Sequence, residues 1–92
     1  MPPTLQREQH DDVERHKRET LRALIEEQVI HALGEPGGLH KVQARQLWKH
    51  HYRVNVFIGP DAMSCTIANS YFVEIDGDGN IVEARPRITK QY

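Results

Sequence analysis

Apolar and polar positions along this 92-residue chain follow two different periods, and the change falls at Gly34. Before it, Leu21, Leu24, Ile25, Val29, Ala32 and Leu33 recur at the i, i+3, i+4 spacing that lays one apolar stripe along a helix. No glycine interrupts residues 1–33, and their only prolines are Pro2 and Pro3. Leu33-Gly34 followed by Pro36 reads as a helix stop, with glycine in the left-handed cap and proline unable to continue the ladder. Asp11 or Asp12 is the expected N-cap, and residues 1–10, with almost nothing to bury, are expected to be a frayed tail.

After Gly34 the period becomes two. Tyr52, Val54, Val56 and Ile58 alternate with Arg53, Asn55 and Phe57, the pattern of a half-buried strand. Residues 67–75 repeat it, with Ile67, Tyr71, Val73 and Ile75 on one side. The turn residues of Asp76-Gly77-Asp78-Gly79-Asn80 then lead into Ile81–Arg85 as the second arm of a hairpin. Residues 41–49 fit two readings. As a strand, Val42, Ala44 and Trp48 face one way with Gln46 as the only break; as a helix, Leu39, Val42, Leu47 and Trp48 form a ragged stripe. The strand is preferred, because a helix has too little room before Tyr52. The expected fold is α+β: one long N-terminal helix on a four-stranded antiparallel sheet of two consecutive hairpins, a single domain over residues 11–92.

Composition limits function. Hydrophobic residues make up 38% of the chain and the mean hydropathy is −0.66, so the core is small. The single cysteine cannot form an internal disulfide or supply a thiolate zinc site. No apolar run reaches the ~18–20 residues of a membrane span, and the N-terminus lacks the apolar stretch of a signal peptide. The expectation is a cytoplasmic protein with no membrane partner.

Charge appears balanced, with 12 Lys and Arg against 13 Asp and Glu, but its distribution is uneven. Residues 1–33 carry five cations and seven acids, a net of −2, whereas residues 40–53 hold Lys41, Arg45, Lys49 and Arg53 and no acid. Lys41, Arg45 and Lys49 share a face in either a strand or a helix, and Arg53 joins them if the turn keeps register. Two outcomes stay open. If Asp78-Gly79 is a two-residue turn, Ile75 pairs with Val82, Val73 with Ala84, and Glu74 falls opposite Glu83. Those two carboxylates would then quench the basic face as part of a cross-strand charge lattice. Otherwise the face is open to an anionic partner, and the interleaved Trp48, Tyr52 and Phe57 make single-stranded nucleic acid the alternative to a protein. Trp48 and Tyr52 fall on the expected core side, which argues against stacking.

The other chemistry-bearing residues point away from catalysis. His50 and His51 are adjacent and would lie on opposite strand faces, and no HExxH or Cys/His spacing is present, so no metal site and no cofactor is expected. Asp76–Asn80 resembles a calcium loop only at its start, because Ile81 and Arg87 occupy the positions where that loop needs glycine and glutamate. Cys65 has no base at a certifiable spacing; a small-ligand or enzymatic site near Cys65 and Tyr71 is the third reading. The preferred one is a non-enzymatic binding module. One helix covers one sheet face, leaving Leu47, Phe57 and Phe72 projecting from the other as a surface for a homodimer or another protein.

Overall fold

A computed structural model describes residues 3–92, with side chains from Val13 onward. Helix α1 (Pro3–Leu33) is followed by strands β1 (Leu39–Trp48), β2 (His51–Ile58), β3 (Thr66–Ile75) and β4 (Ile81–Arg85). The strands form one antiparallel sheet in the order β1-β2-β3-β4, a pair of hairpins joined side by side. The α+β architecture is therefore the one the two periods predict, and residues 41–48 are strand, with Lys49 in the turn that follows. No side chain is described over residues 1–10, where a frayed tail is expected; Asp11 and Asp12, expected as the N-cap, lie inside α1, which begins at Pro3. Among the described residues no helix is long and apolar enough to cross a membrane.

The core is a single layer between α1 and one sheet face. Ile25, Val29 and Leu33, one helical turn apart, are fully buried against Ala44, Tyr52, Val54, Val56, Tyr71, Val73 and Ile75. Burying such side chains is worth roughly 1.5–3 kcal/mol each, which makes this stripe the main attachment of helix to sheet. The predicted stripe is slightly too wide: Leu24 and Ala32 lie at its margin and remain exposed, while Leu21 packs at the edge of the core. Desolvation raises the phenol pKa of Tyr52, opposed by the nearby Arg22 charge, and likewise raises that of Tyr71.

Polar side chains on α1 tie it to both margins of the sheet. Glu26 Oε2 accepts a 2.8 Å hydrogen bond from the Ala44 amide on edge strand β1. On the opposite side Gln28 donates to the Gly79 carbonyl at 2.7 Å and accepts from the Ile81 amide at 2.9 Å, holding the β3–β4 connection. Gly34 ends the helix as expected, at φ +91°, with its amide donating to Ile30 O. The chain's last residues complete this cap: the amides of Gln91 and Tyr92 both donate to the Leu33 carbonyl. A side chain at position 34 would run into the Tyr92 carbonyl, so glycine is required there for space as well as for conformation.

Of the four register shifts in the ladders, three alter what strict alternation predicts. Between Gln46 and Trp48 the β1–β2 ladder skips Leu47, so Trp48 pairs with His51 and takes that residue's face. Trp48 is accordingly 59% exposed and lies outside the core that alternation assigns to it. A second shift, after Val56, pairs Ile67 with Phe57 on the outer face, away from Tyr71 and Val73. A third, between Glu74 and Ile75, pairs Ile75 with Ile81 instead of Val82, leaving Val82 exposed. The reason is local. The β3–β4 turn is longer than two residues: Asp76 and Asn80 close it through their backbone, while Asp76 Oδ1 accepts the Asp78 and Asn80 amides. Those amide hydrogen bonds, that of Asn80 foremost, lower the Asp76 carboxyl pKa. Val73↔Ala84 and Glu74↔Glu83 pair as predicted.

Because Gln28 satisfies two backbone groups of the β3–β4 connection, Gln28→Ala should lower stability by about 1–3 kcal/mol. A urea melt measures this, and a Gln28→Glu control should also lose stability, since a carboxylate cannot donate to Gly79 O.

Candidate functional site

The sheet face turned away from α1 carries the polar and aromatic residues of all four strands, and no other element covers it among the described residues. The cross-strand register places Lys41 beside Phe57, Gln43 beside Asn55 and Ser70, and Arg45 beside Arg53, Phe72 and Arg85. At the end nearest the two hairpin turns, Trp48, His51, Glu74 and Glu83 form the last row. Lys41, Arg45 and Arg53 are thus brought together on one surface. Lys49 is not: it sits in the β1–β2 turn at φ +40°, where the backbone leaves the pleat, so its place in the cluster needs correction.

Glu74 and Glu83 face each other as the sequence indicates, but they do not neutralise the basic cluster. Glu74 Oε1 lies 3.2 Å from His51 Nε2, and Glu83 Oε1 lies 3.0 Å from Arg85 Nη2. Among the described residues no carboxylate comes within ion-pair distance of Lys41, Arg45, Lys49 or Arg53. Aromatic rings take that place. The Lys41 ammonium lies 5.0 Å from the Phe57 ring centroid, and the Arg53 guanidinium lies 4.3 Å from that of Phe72. At exposed sites such contacts contribute about 0.5–1 kcal/mol and leave the cation accessible.

The three projecting apolar residues also differ in setting. Phe72 is 48% exposed and Leu47 38%, whereas Phe57 is half-buried between Lys41 and Ile67. Trp48 is the apolar residue that alternation misses on this face. It stacks on His51 with ring centroids 4.7 Å apart and planes 21° from parallel. Around these rings is a shallow depression of about 350 Å³, lined by Leu47, Trp48, His51, Phe72, Glu74, Glu83 and Arg85 together with Tyr52 and Val73. His51 Nδ1 is enclosed there without a hydrogen-bond partner.

Nothing comparable gathers around Cys65. Its thiol points at the Ala62 carbonyl 3.6 Å away, within a turn organised by Asp61, whose carboxylate accepts the Met63 and Ser64 amides. The Tyr71 hydroxyl is instead 3.4 Å from Asn69, which in turn accepts from the Tyr92 hydroxyl at 3.0 Å. Among the described residues no three His, Cys, Asp or Glu side chains converge as metal ligands would.

Because Trp48 stands on the uncovered face, Trp48→Ala should cost under about 1 kcal/mol, as surface substitutions usually do. Tyr52→Ala, which empties part of the core, should cost about 3–5 kcal/mol by analogy with other buried aromatics. Paired thermal melts distinguish the two; equal losses would put Trp48 back in the core. Comparison with known proteins finds no matching family model, no matching curated protein and no matching solved structure.

Proposed function

We propose that this chain is a small non-enzymatic interaction module whose uncovered sheet face pairs with a second copy. The observation that carries this reading is the row of exposed apolar groups Leu47, Trp48 and Phe72, contiguous around one depression on a face that no other element covers among the described residues. With strands of 8–10 residues, β1 to β3 and the shorter β4 make a face about 20 Å by 30 Å. Pairing two such faces buries roughly 1,000 Å² or slightly more, the lower end for a specific interface, so the dimer is a weak one.

Light scattering should give about twice the 10.7 kDa monomer mass at high concentration, falling toward the monomer on dilution. The single tryptophan provides a second reading, since its emission should shift to the red as dilution uncovers Trp48. Phe72→Asp and Trp48→Asp should each produce a folded monomer. A wild-type chain that stays monomeric at every concentration refutes the proposal.

A second reading is supported by the uncompensated Lys41, Arg45 and Arg53 beside stacking-competent rings, an arrangement suited to single-stranded nucleic acid. It requires binding of a single-stranded oligonucleotide that weakens steeply with salt and is lost in Lys41→Glu/Arg45→Glu. Absence of binding at low salt would eliminate it.

A further inference from the structure

The register sets the outer face in rows across the strands. Arg45, Arg53, Phe72 and Arg85 form one row, and Trp48, His51, Glu74 and Glu83 form the next. With strands about 4.8 Å apart, the arginine row runs roughly 14 Å from β1 to β4. Arg45 and Arg53 are direct cross-strand partners, a like-charge placement that costs stability unless an anion comes between them. Neither lies within ion-pair distance of a carboxylate among the described residues, and the Arg85 side chain is 80% exposed. The neighbouring row lines the depression of about 350 Å³, at the lower end of the size range of small-molecule sites. Glu74 and Glu83 each turn Oε1 toward His51 or Arg85, and Oε2 of each has no hydrogen bond among the described residues. Trp48 carries His51 on one ring face and is otherwise open, whereas Phe72 already carries Arg53.

We infer that this depression is a base pocket for single-stranded nucleic acid, taking one base with an exocyclic amino group while the adjoining phosphates lie along the arginine row. The inference rests on the nucleic-acid reading of this face and adds to it the path of the strand and the choice of base. Phosphates need cations that no carboxylate competes for, and Arg45, Arg53 and Arg85 supply them on three of the four strands. A base needs a flat apolar surface, and the free face of Trp48 provides it one row away. Glu74 and Glu83 then select the base, because ionised carboxylates accept hydrogen bonds and cannot donate them. Cytosine presents an amino group where thymine presents a carbonyl oxygen, so the carboxylates attract the first and repel the second. The same two acids keep phosphates off their row. The strand is therefore held with its backbone over the arginines and its base over the acids.

The test compares oligo(dC) with oligo(dT) of equal length, two pyrimidines of similar size that differ at the edge the carboxylates meet. Oligo(dC) should bind about tenfold more tightly at low salt, the discrimination one well-made pair supplies. Emission of Trp48, the only tryptophan, should be quenched as the base stacks on it. Glu74→Gln/Glu83→Gln, whose amides both donate and accept, should bring the two affinities within about twofold of each other. Arg85→Gln should weaken both oligonucleotides alike and lower the slope of log affinity against log salt by about one. Thermal melting establishes that each variant is folded; if the double variant is not, Glu74→Gln alone replaces it. Equal binding of the two oligonucleotides, unchanged Trp48 emission, or a preference that survives the glutamines overturns the base pocket and leaves the nucleic-acid reading standing. A salt slope unchanged in Arg85→Gln overturns the arginine path. A wild type that binds neither oligonucleotide at low salt removes the reading on which both rest.

Discussion

The structure depends on one contact, the seating of Ile25, Val29 and Leu33 of α1 on the inner face of the sheet. A four-stranded antiparallel sheet has two faces to satisfy, and this chain has one described helix with which to do it. A helix stripe about one residue wide per turn covers the central strands and leaves the margins to other devices. Glu26 and Gln28, on either side of the stripe, hydrogen bond to the β1 edge and to the β3–β4 connection. They satisfy backbone groups at sheet margins that would otherwise be open to another strand. The C-terminal residues extend the same attachment by donating to the Leu33 carbonyl.

That economy determines what is left over. The second sheet face is uncovered, and its side chains must be tolerable in water while the chain is alone. Pairing Lys41 with Phe57 and Arg53 with Phe72 accomplishes this: each cation shields part of an apolar ring and loses little hydration. The stacked Trp48 and His51 serve likewise at the end of the sheet. A face built this way is neither a solvated lattice of ion pairs nor an aggregating apolar slab. Its cations and rings remain available to a partner, which is why both the dimer and the nucleic-acid readings converge on one surface.

Much of this was legible in the residues. The i, i+3, i+4 stripe located α1 and its buried positions, Gly34 and Pro36 located its end, and two-residue alternation located β2 and β3. The facing of Glu74 and Glu83 was expected from a two-residue turn that does not form, and the skipped Val82 restores that register. The errors on the strands share one cause, since alternation assumes an unbroken pleat. Skipped residues at Leu47, Ala68 and Val82 each move a neighbour to the opposite face or off its expected partner. Trp48 is the consequential case, because its transfer from the core to the outer face turns an apparent core residue into part of the candidate site.

Local sequence sufficed for element type, order and the inner face, because periodicity and turn chemistry act within a few residues. Tertiary structure decided which residues share the outer face and which charges are compensated. Both depend on register between strands, and register is set by bulges and turn lengths that single-strand alternation does not encode. Glu74 and Glu83 therefore meet His51 and Arg85, and Lys41, Arg45 and Arg53 keep their charge exposed beside aromatic rings.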